Sequence, residues 1–263
     1  MRFFRLILNN TLRHKLRTVL TIVAVAIALL AFGFIRTAIS AWYLGVTASA
    51  PDRLITRSKI SITFTLPLAQ KERIERIPGV VAVTHGTWFG GIYKDPGNFF
   101  PQFAMENVES FQLYPEFLID TSALRAFATE RNAVIVGVKT MERFGWKMGD
   151  VVHLTGTIYP GDWDFVIRGV YTGRSEATDV SQFIFNWDYI EQRMQRDWPT
   201  RTGQVGWWVI KIDDPAKAAS ISTAVDREFD NSADETITET EAAFQQSFVA
   251  MSGTIILSLQ IVS

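Results

Sequence analysis

Between Arg17 and Arg36 the chain reads TVLTIVAVAIALLAFGFI, eighteen residues without a charge. As a helix rising 1.5 Å per residue this run covers about 27 Å, close to the hydrocarbon thickness of a bilayer, and Leu16 and residues 37–44 can lengthen it. A soluble core helix rarely runs so far without a polar face. A cleaved signal peptide is the sharper rival, because Ala48-Ser49-Ala50 has the A-x-A form. That tripeptide lies well past the apolar run, however, and the run is longer than an ordinary signal core. An uncleaved anchor is the expectation.

The residues before the run carry the topology. Arg2, Arg5, Arg13, Lys15 and Arg17 are cations with no acid among them, which predicts a cytoplasmic N-terminus by the positive-inside rule. Phe4, Leu8, Leu12 and Leu16 recur every four residues with the basic residues largely off that stripe. This is the pattern of a basic amphipathic helix lying on the membrane surface. The formal net charge is −1, so removing these five cations and Arg36 leaves −7 for residues 37–263. A basic head joins an acidic body. With 48% hydrophobic and 20% charged residues, the chain is neither disordered nor built of membrane spans alone. It has no cysteine, hence no disulfide and no thiolate metal site.

At the other end no charge follows Glu241, and the sequence closes on FVAMSGTIILSLQIVS. Phe248 to Val262 would reach about 22 Å as a helix, short of a full span. The expectation is the outer portion of a second membrane helix, truncated at the C-terminus; a soluble terminal helix is the alternative.

Between the two apolar runs, a strand–helix–strand pattern occurs twice. In SITFTLPLAQKERIERIPGVVAVTHGTWFGG an alternating run leads to Pro67 at a helix start. Leu68, Ile74 and Ile77 form its apolar side, Pro78-Gly79 ends it, and Val80 to Thr84 reads as a strand. In GWWVIKIDDPAKAASISTAVDREFDNSADETITET the strand Trp207 to Ile212 is followed by Asp213-Asp214-Pro215 as a cap. A helix then runs to about Phe229, and Glu235 to Thr240 is extended. Two such units can pair as a split ferredoxin-like layer, although βαβ patterns are frequent enough to coincide by chance. The segment between them reads as a small β-rich insertion. Ala133 to Val136 is a strand, Lys139 to Phe144 a helix ended by Gly145, Val151 to Tyr159 a strand after a Gly149-Asp150 turn, and Trp163 to Tyr171 its hairpin partner.

These pieces resemble a known family. GVKTMERFGWKMGDVVHLTG followed by FVIRGVY is similar to the extracytoplasmic core domain of FtsX-like (MacB-like) ABC-transporter permeases. HKLRTVLTIVAVAIA resembles the family's first span, and IERIPGVVAVT the strand after its I-P-G-V turn. The motifs are short but stand in the family's order from residue 1 to about 262. The resemblance implies a permease subunit with one span, a ferredoxin-like porter part interrupted by a β-rich part, and three further spans. It also implies a separate ATP-binding ABC subunit, a permease homodimer or paralogue heterodimer, and room for a periplasmic adaptor. Only the start of the second span is present.

The expected fold is thus an α+β membrane protein. A cytoplasmic basic amphipathic helix occupies 1–17 and a transmembrane helix 18–44. The porter-like part spans 45–94 and 201–241, the inserted β-rich subdomain 95–200, and the start of a second transmembrane helix 242–263. The expected location is the bacterial inner membrane, in contact with the lipid bilayer and with the main domain outside.

Nothing in the sequence calls for chemistry on this chain. There is no G-x-x-x-x-G-K-[ST] loop, so ATP hydrolysis falls to another subunit. His14, His85 and His153 lack metal-ligand partners at helical spacing, and no G-x-S-x-G or S-x-x-K occurs. No catalytic, cofactor-binding or metal residue is assigned, no cofactor is expected, and no nucleic-acid partner is indicated. Asp162 and Asp164 read as turn formers. Trp88, Trp146, Trp163, Trp187 and Trp198 read as packing. Packing is the default for the adjacent pair Trp207-Trp208 too; in a one-sided sheet both cannot be core, and the alternative for one of them is contact with the other subdomain, a partner or a lipid. The rival functional reading is a two-span sensor with an outer ligand domain. A membrane-anchored enzyme is disfavoured by the lack of a nucleophile or metal set.

Overall fold

A computed structural model describes residues 15–47 and 50–247. They form two compact units, divided at Thr47.

The first unit is a single helix, α1 (Lys15–Thr47). Leu16–Phe34 is long and apolar enough to cross a membrane, and its apolar side chains are exposed. Threonine hydroxyls on the apolar stretch and just beyond find partners within the helix. Thr21 donates to the Arg17 carbonyl and Thr37 to the Gly33 carbonyl, both at 2.9 Å. Such internal pairing is what a helix in hydrocarbon requires.

The second unit contains β1 (Arg53–Ser58), β2 (Leu66–Pro67), α2 (Lys71–Glu75), β3 (Val80–Trp88), β4 (Gly91–Ile92) and β5 (Gln102–Met105). There follow β6 (Phe117–Ile119), α3 (Thr121–Thr129), β7 (Ala133–Gly137), α4 (Val138–Phe144), β8 (Val151–Gly156) and β9 (Gly161–Gly173). The chain continues with β10 (Phe183–Asn186), α5 (Trp187–Asp197), β11 (Gln204–Val205), β12 (Trp207–Ile212), α6 (Ala218–Glu228) and β13 (Thr236–Thr240). Residues 241–247 are helical.

One sheet runs through the unit in the order β13-β1-β12-β3-β5-β10-β7-β9-β8-β4, with β6 beside the end of β9. The first four strands are mutually antiparallel. Their helices α2 and α6 follow β1 and β12. Beyond β3 the sheet curls, because β4 continues directly from β3 and pairs with β8 at the opposite end of the order. The curled part closes on a Phe-rich core. Phe89 lies at its centre, with ring centroids 5.3 Å from Trp163 and Phe185 and 5.6 Å from Phe165.

The sequence places several elements correctly and misplaces others. The helix α4 ends at Gly145, whose φ of +64° is the left-handed cap glycine tolerates. Asp214 caps the turn Pro215–Lys217 through the Ala216 amide at 2.9 Å. The first strand is Arg53–Ser58, where the first strand signal of the sequence falls, but the alternating run 61–66 is not a strand before Leu66. The β1 side chains are nearly all buried because β12 and β13 flank it, whereas Ile60 and Phe64 are exposed. Alternation alone did not make 61–66 a strand, for no neighbour pairs with it before Leu66. The hairpin turn lies at 157–160, so Asp162 and Asp164 stand on strand β9. There they face Thr155 and His153 across the pair, at 3.2 and 2.5 Å, on an exposed surface.

Both Trp207 and Trp208 are buried, on opposite faces of the sheet. Trp208 packs with Ile210, Ile212 and the α6 residues Ile221 and Val225. Trp207 packs with Ile55, Val209 and Phe244. Packing, the default expectation for these indoles, holds for both because this sheet is covered on both sides, and Trp207 meets Phe103 of the 95–200 segment at 5.6 Å. The indole of Trp207 lies across Gly86, where an added Cβ would meet the ring at 2.7 Å.

Candidate functional site

The first and last strands of the second unit meet at one corner. Leu54 pairs with Thr240, so the start of β1 and the end of β13 lie side by side. Asp52 ties the third neighbour to this corner. Its carbonyl accepts from the Ile212 amide at 2.9 Å and its carboxylate pairs with Lys211 at 3.2 Å.

At this corner Arg53 is almost wholly buried. Alternation along β1 puts Leu54 and Thr56 on the α2/α6 side and turns Arg53 with Ile55 to the other face. Its Nε donates to Glu241 at 2.8 Å, and its two terminal nitrogens fork onto the Glu116 carboxylate, one arm at 3.1 Å. It also donates to the Leu113 carbonyl. Its guanidinium lies 4.4 Å over the Tyr114 ring, which stacks on Phe117 at 5.4 Å. Planar, forked and always charged, Arg suits such a place where Lys would not.

One cation serves two carboxylates here. Burial works against the Arg53 charge. The hydrogen bond with Glu116 and the field of Glu241 outweigh it, and the guanidinium is held above its ordinary range. Burial pushes the Glu241 carboxyl above the usual carboxylate range against the pull of Arg53, and Glu116 adds to that push. Burial likewise raises the Tyr114 phenol. Arg53 therefore joins the entry strand, the segment after the last strand, and the 113–116 segment of the curled half through a charge that water does not reach.

The sequence did not reveal this node. Arg53 and Glu241 are 188 positions apart. The available signal was weak: Glu241 is the last charge before the terminal uncharged run. Of the histidines, His153 is exposed beside Asp164, His85 is buried, and His14 lies outside the described residues. Most of the N-terminal amphipathic segment and residues 248–263 of the second apolar run also lie outside them. Among the described residues no group of His, Asp or Glu is placed to hold a metal ion.

No family model matches this sequence, and no curated protein matches it. Solved structures do resemble it. The extracellular domain of the noncanonic ABC-type transporter YknZ from Gram-positive bacteria aligns with a TM-score of 0.50 at 10% identity, over 72% of this chain and all of that one. The periplasmic region of MacB from Actinobacillus actinomycetemcomitans aligns with a TM-score of 0.48 at 10% identity, over 75% of this chain and 92% of that one. The chain shares its fold with the extracellular domain of the YknZ ABC-type transporter. In this chain that fold is preceded by a long apolar helix.

Proposed function

We propose that this chain is the transmembrane permease subunit of an ABC transporter. ATP hydrolysis by a separate cytoplasmic subunit moves its extracytoplasmic domain and expels a lipid-like, peptide or drug-like substrate. The observation that carries the reading is the corner at Arg53, combined with the fold. A domain moved by its membrane helices needs its two chain ends gathered at one rigid point, and the Arg53–Glu116–Glu241 node supplies that point.

In this reading the N-terminus is cytoplasmic, α1 spans the inner membrane and residues 242–263 begin a second span. The strands β13-β1-β12-β3 with α2 and α6 form a ferredoxin-like porter part, assigned to 45–94 and 201–241. Their order by sequence is 4-1-3-2, as that fold requires. Residues 95–200 are the insertion. The subunit pairs with itself or a paralogue, and a periplasmic adaptor is a further partner.

The natural absence of cysteine permits a clean test. A membrane-impermeant maleimide should label the Ser232→Cys variant in intact cells. Labelling only after lysis would overturn the topology. Co-expression with the ATP-binding subunit should give a complex that co-purifies in detergent and hydrolyses ATP. In that complex Arg53→Met should keep ATPase activity and lose transport. Absence of any complex, or a cytoplasmic signalling output in its place, would favour the sensor reading.

A further inference from the structure

The side of the sheet covered by α2, α5 and α6 contains a second buried titratable group, His85 on β3. It is 1% exposed, and neither ring nitrogen has a hydrogen-bond partner among the described residues. Its ring stands edge-on to Trp187, the first residue of α5, at 4.9 Å, and to Trp208 of β12 at 5.7 Å. The Trp208 indole N–H is directed to Gln70 at 3.3 Å, and the Gln70 amide to the Asp234 carbonyl at 3.1 Å. Lys71 of α2 is the charge acting on the imidazole, and it is itself paired with Glu106. From α5 and β12 the ring meets indoles. The ring therefore fills the seam where the half containing α2 and β12 meets the half containing α5, and does so without a polar bond. A phenylalanine would fill that space without burying two bare nitrogens.

We propose that His85 is a proton-sensitive wedge: neutral, it closes the seam between α2, β12 and α5; protonated, it leaves its place between the two indoles and the seam opens. Burial, helped by Lys71, lowers the imidazole to about 3 in the closed seam. Released to solvent it returns to about 6.5. The open form therefore binds the proton first as pH falls from about 6.5 to 3, and the closed form is favoured fully only above that window. From these two values, lowering the pH from 8 to 5 shifts the equilibrium toward the open seam about 30-fold, and to pH 4 about 300-fold. The biological sense rests on the proposed topology, in which this domain meets the outside medium; the device itself does not.

Hydrogen exchange of the full chain in detergent, read by mass spectrometry at pH 8 and pH 5 with intrinsic rates corrected, tests the wedge. Peptides covering 67–77 and 187–198 should show about a 30-fold larger opening equilibrium at pH 5, while peptides of α3 and β9 should not. The His85→Phe variant should lose that dependence and keep the seam closed. The His85→Gln variant should also lack it, with a seam looser at both pH values, and serves the same comparison if the phenylalanine variant does not fold. Equal protection at both pH values in the natural protein overturns the proposal, as does a gain at pH 5 that survives in both variants. Neither result bears on complex formation with an ATP-binding subunit, so the two readings fail separately.

Discussion

Replacing Arg53 with methionine keeps most of the side-chain volume and removes the charge. The bond to Glu241 at 2.8 Å, the fork onto Glu116 and the bond to Leu113 all vanish. Glu116 is a quarter exposed and can return to water, but Glu241 is buried and cannot. Removing one partner of a buried pair typically costs about 3–5 kcal/mol, because the other charge is left uncompensated. For a unit of this size each kcal/mol moves Tm by about 2–4 °C, so a fall of roughly 6–20 °C is expected.

Pairing the change with Glu241→Leu removes the stranded carboxylate. The double variant should recover about 2–3 kcal/mol of the loss, since apolar replacement of a whole buried pair is often close to neutral. The pH dependence has a defined sign. The native Glu241 carboxyl is raised, so its protonation favours the folded state at pH values below about 4.3 and that contribution is lost as pH rises through the raised native value. In Arg53→Met the raising is stronger, so the deficit should shrink on going from pH 8 to pH 5. Thermal unfolding of the full chain in detergent, followed by near-ultraviolet circular dichroism, measures all four variants of the cycle. An Arg53→Met protein within 1 kcal/mol of the natural one would refute the reasoning. So would a double variant no more stable than Arg53→Met alone.

Further outcomes follow from other contacts. Gly86→Ala puts a methyl where the Trp207 ring lies, 2.7 Å away, and should cost about 1–3 kcal/mol with a changed near-ultraviolet tryptophan signal. Asp226→Ala removes the acceptor of the Thr236 and Thr238 hydroxyls, at 3.0 and 2.7 Å, and of the Thr238 amide at 3.1 Å. Strand β13 is an edge of the sheet, so hydrogen exchange over 236–240 should rise and self-association increase. His153→Ala breaks an exposed pair with Asp164 and should change unfolding stability by less than about 0.5 kcal/mol, despite the short contact.

Local pattern made much of this molecule legible. The uncharged run after Arg17 forces a long apolar helix whatever follows it, because its surface has no polar side to give to water. Gly145 and the Asp214-Pro215 step mark their boundaries because cap geometry depends on neighbours within a turn. Strand β12 and helix α6 were readable for the same reason.

What the sequence left open was decided by partners distant along the chain. Only the tertiary sheet denies the alternating run 61–66 a strand while Arg53–Ser58 pairs on both sides, because strand formation depends on neighbours to pair with. Only the cover on both faces makes Trp207 and Trp208 core residues together. Only the meeting of β1, the 113–116 segment and Glu241 turns an ordinary arginine into a buried charge with two acids. The sequence by itself determined the long apolar helix and the caps at Gly145 and Asp214, since those terms are summed over adjacent residues, while the helices Thr121–Thr129 and Trp187–Asp197 were not read from it. The node, the seam at His85 and the closure of β4 on β8 came from tertiary structure, since long-range contacts have no short-range signature.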